Sequence, residues 1–281
     1  MLNFQTFLPS PALRNHLYCY LVSDVVDNND FSVVHEALPM GITTLCFSDQ
    51  SRCYSNKTAT ADTFLAAPDI AIVGQMTQKG ETVFHRPSRS VVALFRVTGL
   101  FRLSGVPMNI VAGGYSTDAT SVMWYNDLRQ CRERMFQHHD PARIVSVLET
   151  FLTNKLKASG HSTRNLDKVA AFIDLHFGDV DLKKLCDQAS MSVKTLERHF
   201  SEKIGLTPKY FSRIIRFKHA FRQLGAAGKL TDVMGIIEAC GYTDQAHFIK
   251  EFQHFTGHSP SFYYQSEEVL TPFFLESASH N

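Results

Sequence analysis

The spacing of apolar residues changes near the middle of the chain. Up to about residue 115, short β-branched and aromatic runs recur: Ile42-Thr43-Thr44-Leu45-Cys46-Phe47, Ile70-Ala71-Ile72-Val73, Thr82-Val83-Phe84 and the run from Val91 to Val97. Turn formers punctuate them, at Pro39-Met40-Gly41, Ala67-Pro68-Asp69, Lys79-Gly80 and Arg86-Pro87-Ser88. Many short strands with turns between them predict a small barrel or sandwich. From about 118 the period becomes helical, with Val122, Tyr125, Leu128, Cys131 and Met135 three or four apart, then Ile144, Leu148, Phe151 and Leu152. Asp140 as N-cap and Pro141 in the first turn start the second of these helices. Such a pair either packs on the β-domain or offers a dimer face, and the pattern leaves both open.

Residues 157–164 are polar and turn-rich, which places a linker there. Residues 165–266 then read as short helices, and 267–281 as a tail. The expected class is α+β. An N-terminal β-rich barrel or sandwich over 1–156, ending in two helices, precedes a C-terminal all-α domain.

That all-α region repeats itself. Leu182, Leu185, Cys186 and Ala189 return as Val233, Ile236, Ile237 and Cys240, and Ser192 as Thr243, at a constant offset. After one inserted residue, Leu196, Phe200, Gly205, Thr207 and Pro208 match Phe248, Phe252, Gly257, Ser259 and Pro260. In each copy the first four apolar residues form one face of a short helix. Ala189-Ser190-Met191 and Cys240-Gly241-Tyr242 suit a tight turn. Ser192 and Thr243 are the expected N-caps of a second helix, whose first-turn N–H groups need acceptors. Gly205 and Gly257 end it, and Thr207-Pro208 and Ser259-Pro260 start the next. Helix, tight turn, then a helix with one free face is the helix-turn-helix arrangement, and here it occurs twice.

Composition adds less than distribution. With 44% hydrophobic and 20% charged residues among 281, the chain can bury a core, and its net charge is +1. Yet Lys183 to Arg222 holds ten basic residues against three acidic ones, a local +7, the electrostatic footprint of phosphate binding. The second copy, from Lys229 to Pro260, sums to −2. No run nears the ~20 apolar residues of a membrane span, and the first residues lack a secretion pattern. The six cysteines include no C-x-x-C pair and the thirteen histidines no metal-ligand spacing, His138-His139 included. A cytoplasmic protein without membrane, metal or cofactor is expected.

Met191-Ser192-x-x-x-Leu196-x-Arg198-x-Phe200 followed by Gly205-x-Thr207-Pro208 resembles the AraC/XylS family of bacterial regulators. So do Arg216-Phe217-x-x-Ala220, Gly241-Tyr242-x-Asp244-x-x-His247-Phe248-x-x-x-Phe252 and Gly257-x-Ser259-Pro260-Ser261-Phe262. Met234-Gly235-Ile236-Ile237 departs from the Ile-Ala pair common in the family; Gly235 costs the helix ~1 kcal/mol relative to Ala. The resemblance covers about 165–265. It implies a nucleoid-associated regulator in which two units, joined by one long helix over Pro208–Leu224, read adjacent major-groove segments of double-stranded DNA. It also implies RNA polymerase as a partner.

On the first reading helix, Leu196 and Phe200 face inward, while Val193, Lys194, Thr195, Glu197 and Arg198 face out. Arg198 and Lys194 suit guanine O6/N7, and Thr195 a thymine methyl. On the second, Gln245 suits adenine N6/N7, with His247 and Lys250 beside it. The expected base contacts are Lys194, Thr195, Arg198, Gln245, His247 and Lys250. The expected phosphate contacts are Ser192, Arg213, Lys218 and Thr243, with Arg216 as an alternative brace of the long helix.

Leu38-Pro39-Met40-Gly41, Leu45-Cys46-Phe47 and Ile72-Val73-Gly74-Gln75 resemble a β-domain that precedes this module in some members, which implies effector sensing or a homodimer. A small-molecule effector is the leading expectation; a regulator set by abundance or a protein partner is the alternative. An enzyme finds little support: His35-Glu36 and the isolated His85 make no metal site, and no nucleophile–base pair or phosphate loop occurs. Cys46 and Cys53 could form a redox switch, though packed thiols are the plainer reading.

Overall fold

The structure, a computed structural model, describes residues 3–25, 33–49, 53–55, 65–84, 88–114, 116–226 and 233–265. His85, Lys229, Asp232, the Cys53 side chain and the tail 267–281 lie outside the described residues. Ten strands come first among the described residues: β1 (Asn3–Phe7), β2 (Leu17–Val25), β3 (Val33–Ala37), β4 (Thr43–Ser48), β5 (Cys53–Ser55), β6 (Leu65–Ala66), β7 (Ile70–Val73), β8 (Gly80–Phe84), β9 (Ser88–Phe95) and β10 (Ser116–Asp118). They form a six-stranded sheet, β1-β2-β9-β4-β7-β10, and a four-stranded one, β3-β8-β5-β6, with antiparallel pairing throughout.

Because side chains alternate across a strand, the larger sheet has two apolar faces. Leu45 and Phe47 of β4, with Val91, Ala93 and Phe95 of β9, point into one core. Helices α2 (Tyr125–Phe136) and α3 (Pro141–Ala158) close that core with Leu128, Cys131, Met135, Ile144, Leu148 and Leu152. The two helices thus pack on the β-domain, which decides the question their pattern left open. The intervening residues Leu21, Cys46, Val92 and Leu94 face the smaller sheet across a cavity of about 210 Å³.

Three features depart from the sequence expectation. A short helix, α1 (Gly99–Ser104), interrupts the strand region, and Gly99 is required there because a Cβ would lie 2.0 Å from the His16 carbonyl oxygen. The first amphipathic helix starts only at Tyr125, because Ser116–Asp118 still pairs with β7 and Asp118 caps a 3-10 turn over Ala119–Ser121. Leu17–Val25, an interior strand between β1 and β9, shows no alternation in sequence because both its faces are covered.

The remaining helices are α4 (Arg164–Leu175), α5 (Leu182–Ala189), α6 (Val193–Ile204), α7 (Pro208–Ala226), α8 (Val233–Ala239), α9 (Gln245–Thr256) and α10 (Pro260–Gln265). They share a second core built on α7, whose Phe211, Ile214, Ile215, Phe217, Ala220 and Phe221 are all buried. Met40 of the β-domain belongs to this core too. Next to it Gly41 holds φ +72°, and a Cβ there would meet the Phe211 ring at 3.2 Å. Between α3 and α4, Ser159 Oγ and the Arg102 backbone oxygen are hydrogen-bonded, and Lys203 donates to the Ser162 carbonyl at 3.2 Å.

Burial pushes the Cys19 and Cys131 thiols up to about 12 and Cys240 to about 11, leaving them protonated and inert. Gly41→Ala should cost about 1–2 kcal/mol, the penalty of a left-handed residue bearing a Cβ. Urea unfolding checks this, and an unchanged midpoint would show that the turn relaxes.

Candidate nucleic-acid interface

The first helix-turn-helix unit is α5, the turn Ser190–Ser192 and α6. Ser190 adopts φ +53°, and the Met191 N–H reaches the Cys186 carbonyl at 3.1 Å, closing the helix in a left-handed cap. The second unit repeats this with Gly241 at φ +68° and the Tyr242 N–H on the Ile237 carbonyl at 3.0 Å. The equivalent turn positions therefore adopt the same backbone, although one is serine and the other glycine.

The cap of the second helix differs between copies. Ser192 Oγ accepts from the Thr195 N–H at 3.4 Å, as expected. In the second copy Asp244, rather than Thr243, caps α9, taking the His247 N–H at 2.7 Å. That bond holds the Asp244 carboxyl below its ordinary value. A carboxylate is the stronger acceptor at a helix N-terminus, so Thr243 is displaced one position outward, where its hydroxyl bonds His247 Nδ1 at 3.1 Å.

On α6, Leu196, Phe200 and Ile204 are fully buried, while Val193, Lys194, Glu197 and Arg198 are exposed on the opposite side. Thr195 is half-buried, its hydroxyl 3.0 Å from Ser192 Oγ, and Arg198 Nη2 lies 3.2 Å from His199 Nε2. On α9, Phe248, Phe252 and Phe255 are buried, Gln245 and Lys250 exposed, and His247 half-buried with its ring 5.4 Å from Tyr242. Four of the six expected base-contact residues thus stand free in solvent, and Thr195 and His247 are partly engaged by their own turns.

Two expected phosphate ligands are occupied elsewhere. Arg213 pairs with Glu251 of α9, its Nη2 at 2.6 Å, and its guanidinium lies over Tyr210 at 4.8 Å. Lys218 pairs with Asp174 of α4 at 2.9 Å, with only 14% of its side chain exposed. Both sit on α7, a helix packed on several sides, so their charges turn inward to partners of the same domain. Arg216 braces the α4–α5 turn, donating to the Gly178 carbonyl at 3.1 Å and lying over Tyr242.

Sequence reading missed Glu251, Tyr210 and the cavity. Glu251 carried a signal, an acid one place before the inward Phe252; Tyr210 and the cavity depend on contacts between distant segments. Tyr210 donates its hydroxyl to the Thr77 carbonyl at 3.0 Å and meets His254 Nε2 at 2.9 Å, joining the β-domain to the second unit.

Burial alone would raise Asp174, but hydrogen bonds from His219 and Lys218 hold it well below the usual carboxylate range. A depressed carboxyl contributes stability that is complete above its unfolded value and is lost as pH falls toward the folded one. Wild type should therefore lose stability below about pH 4 more steeply than Asp174→Asn. Urea melts between acid and neutral pH check this, and parallel curves would remove Asp174 from the account.

A helix-turn-helix domain family matches residues 185–266, and a domain family of unknown function matches 5–115. An uncharacterised HTH-type transcriptional regulator of Staphylococcus aureus (strain MSSA476) is 26% identical over 182 residues, covering 59% of this chain and 24% of that protein. The HTH-type transcriptional activator RhaS of Escherichia coli is 32% identical over 104 residues, 36% of each. The chain thus spans about a quarter to a third of these relatives. Among solved structures, a probable AraC family transcriptional regulator from Rhodopseudomonas palustris is 23% identical, with TM-score 0.32, covering 37% of this chain and 96% of that one. ToxT from Vibrio cholerae is 11% identical with TM-score 0.45, covering 87% of this chain and 96% of that one. Residues 185–266 thus carry a helix-turn-helix domain, and this part of the chain is similar to the transcriptional activator RhaS.

Proposed function

We propose that this regulator binds double-stranded DNA sequence-specifically, with α6 and α9 as its two reading helices, and activates transcription in response to a small effector. The observation that carries the reading is α6, which buries Leu196, Phe200 and Ile204 and leaves Lys194, Glu197 and Arg198 exposed on the opposite face. Residues 165–266 do the reading, and residues 1–156 the sensing. Arg198, Lys194, Gln245 and Lys250 address bases, with Thr195 and His247 beside them; Ser192 and Thr243 lie against phosphates at the two helix starts. Arg213 and Lys218 leave the phosphate set because their charges are already paired. The name of RhaS supports activation.

The effector reading rests on the cavity between the sheets, walled by Leu21, Met40, Ile42, Val92 and Leu94 with Glu81 at its edge. At about 210 Å³ it is smaller than the ~300 Å³ of most drug-sized sites, which fits a small, largely apolar molecule.

Arg198→Ala should lose about 1–3 kcal/mol on the preferred site and little on random DNA. Equal loss on both duplexes in a salt-matched binding assay would make Arg198 a phosphate ligand. Selection of bound sequences from random DNA tests the whole reading, and no enrichment would sink it. Thermal stabilisation by a metabolite library, followed by operator binding, tests the effector; failure across small apolar compounds would favour control by abundance or a protein partner.

A further inference from the structure

Glu251 is the only charged residue among the described ones whose side chain is buried, at 7% exposure. It lies on α9, one residue after Lys250. Its Oε1 takes two bonds from Arg213 of α7, from Nε at 2.9 Å and from Nη2 at 2.6 Å. Its Oε2 is buried with no hydrogen-bond partner. The Arg213 guanidinium also lies beside two rings, 4.8 Å from the Tyr210 ring centre and 5.6 Å from that of Phe255.

Stability gives no reason for this arrangement. Burying the Glu251 carboxylate is costly, and with one oxygen unsatisfied its bonds to the partly exposed Arg213 offset that cost poorly. Well-packed apolar residues in the same place are often as stable or more so. The helix-turn-helix unit does not require the acid either. In the first copy the matching position is His199, half-buried beside Arg198.

What the pair adds is a single permitted geometry. Apart from the Tyr210–His254 hydrogen bond at the start of α7, the rest of the α7–α9 contact is aromatic: Phe217 meets Phe252 at 5.6 Å and Phe255 at 4.9 Å, and Phe221 stacks on Phe252 at 6.0 Å. Ring packing of this kind tolerates small slides, because apolar cores lose uniqueness before they lose stability. A guanidinium forked onto a buried carboxylate does not. Moving α9 by one residue, about 1.5 Å along its axis, breaks both bonds and strands the buried carboxylate.

We propose that the Arg213–Glu251 pair is a positioning device that fixes α9 in one register on α7 and thereby sets the separation of the two DNA segments the chain accepts. The proposal rests on the DNA-reading function above. α6 and α9 both pack on α7, α6 through Phe200 against Phe211 at 5.9 Å. Their relative position is therefore only as well defined as each contact with α7. One base pair added between the segments shifts the far one by about 3.4 Å along the duplex axis and rotates it by about a tenth of a turn. A reader locked in register cannot follow that shift.

The test uses the full chain and the site it selects from random DNA, with and without one base pair inserted between the two segments. Wild type should lose about tenfold or more in affinity on the inserted duplex, the scale of a mismatched contact. The double variant Arg213→Met/Glu251→Leu removes both charges and keeps the volume. It should melt no lower than wild type and bind both duplexes within about threefold of each other. Should it fail to fold, Glu251→Leu alone, which removes the acceptor and leaves the partly exposed Arg213 to solvent, gives the same readout. A folded variant that keeps the wild-type penalty overturns the proposal. So does one that melts lower and weakens on both duplexes by the same factor, since the pair is then merely structural. A wild type that selects a site yet tolerates the insertion overturns the positioning role alone, whereas one that selects nothing overturns the DNA reading beneath it.

Discussion

The connecting helix α7 buries Phe211, Ile214, Ile215, Phe217, Ala220 and Phe221, apolar residues on more than one of its sides. A helix of this kind cannot stand in water by itself and needs partners closing on it from several directions. α4 supplies one, α6 another through Phe200, and α9 a third through Phe252 and Phe255. The β-domain supplies a further contact, with Met40 buried in the same core and Gly41 pressed against the Phe211 ring. Each of α6 and α9 is thus held by its apolar stripe on one common support, which is what leaves its polar stripe exposed.

The same constraint sorts the cations. A long basic side chain on a helix packed on several sides finds its partner inside the domain, as Arg213, Arg216 and Lys218 do. A basic side chain opposite a buried stripe stays in solvent, as Lys194 and Arg198 do on α6. The local charge of +7 counts both kinds alike. Only the solvated ones are available to a polyanion, so the field around the first unit is weaker than the sequence total and is centred on α6.

The β-domain meets α7 through segments that also line its cavity. Leu38, Met40 and Ile42 form cavity wall on one side and pack on the second core on the other. Met76 lines the cavity, and the adjacent Thr77 carbonyl accepts the Tyr210 hydroxyl. The cavity walls are thus tied directly to α7, the helix on which both α6 and α9 are packed.

Much of this was legible in one dimension, because helices, turns and caps are local. The repeat, its two tight turns, the stripe Leu196–Phe200 and the Ser192 cap all follow from residue type at fixed spacing, as do β4 and β7. Leu17–Val25 was not, since a strand covered on both faces loses the alternation that marks it. Asp244 took the cap from Thr243 because a carboxylate outcompetes a hydroxyl where both can reach. The sequence by itself determined which faces of the helices in the two repeated units are apolar and where the turns between them fall. Only the tertiary structure decided which charges pair with which, because Arg213 meets Glu251 across 38 residues and Lys218 meets Asp174 across 44. Ion pairs and cavities depend on distances between segments far apart in the chain, and no local period encodes those.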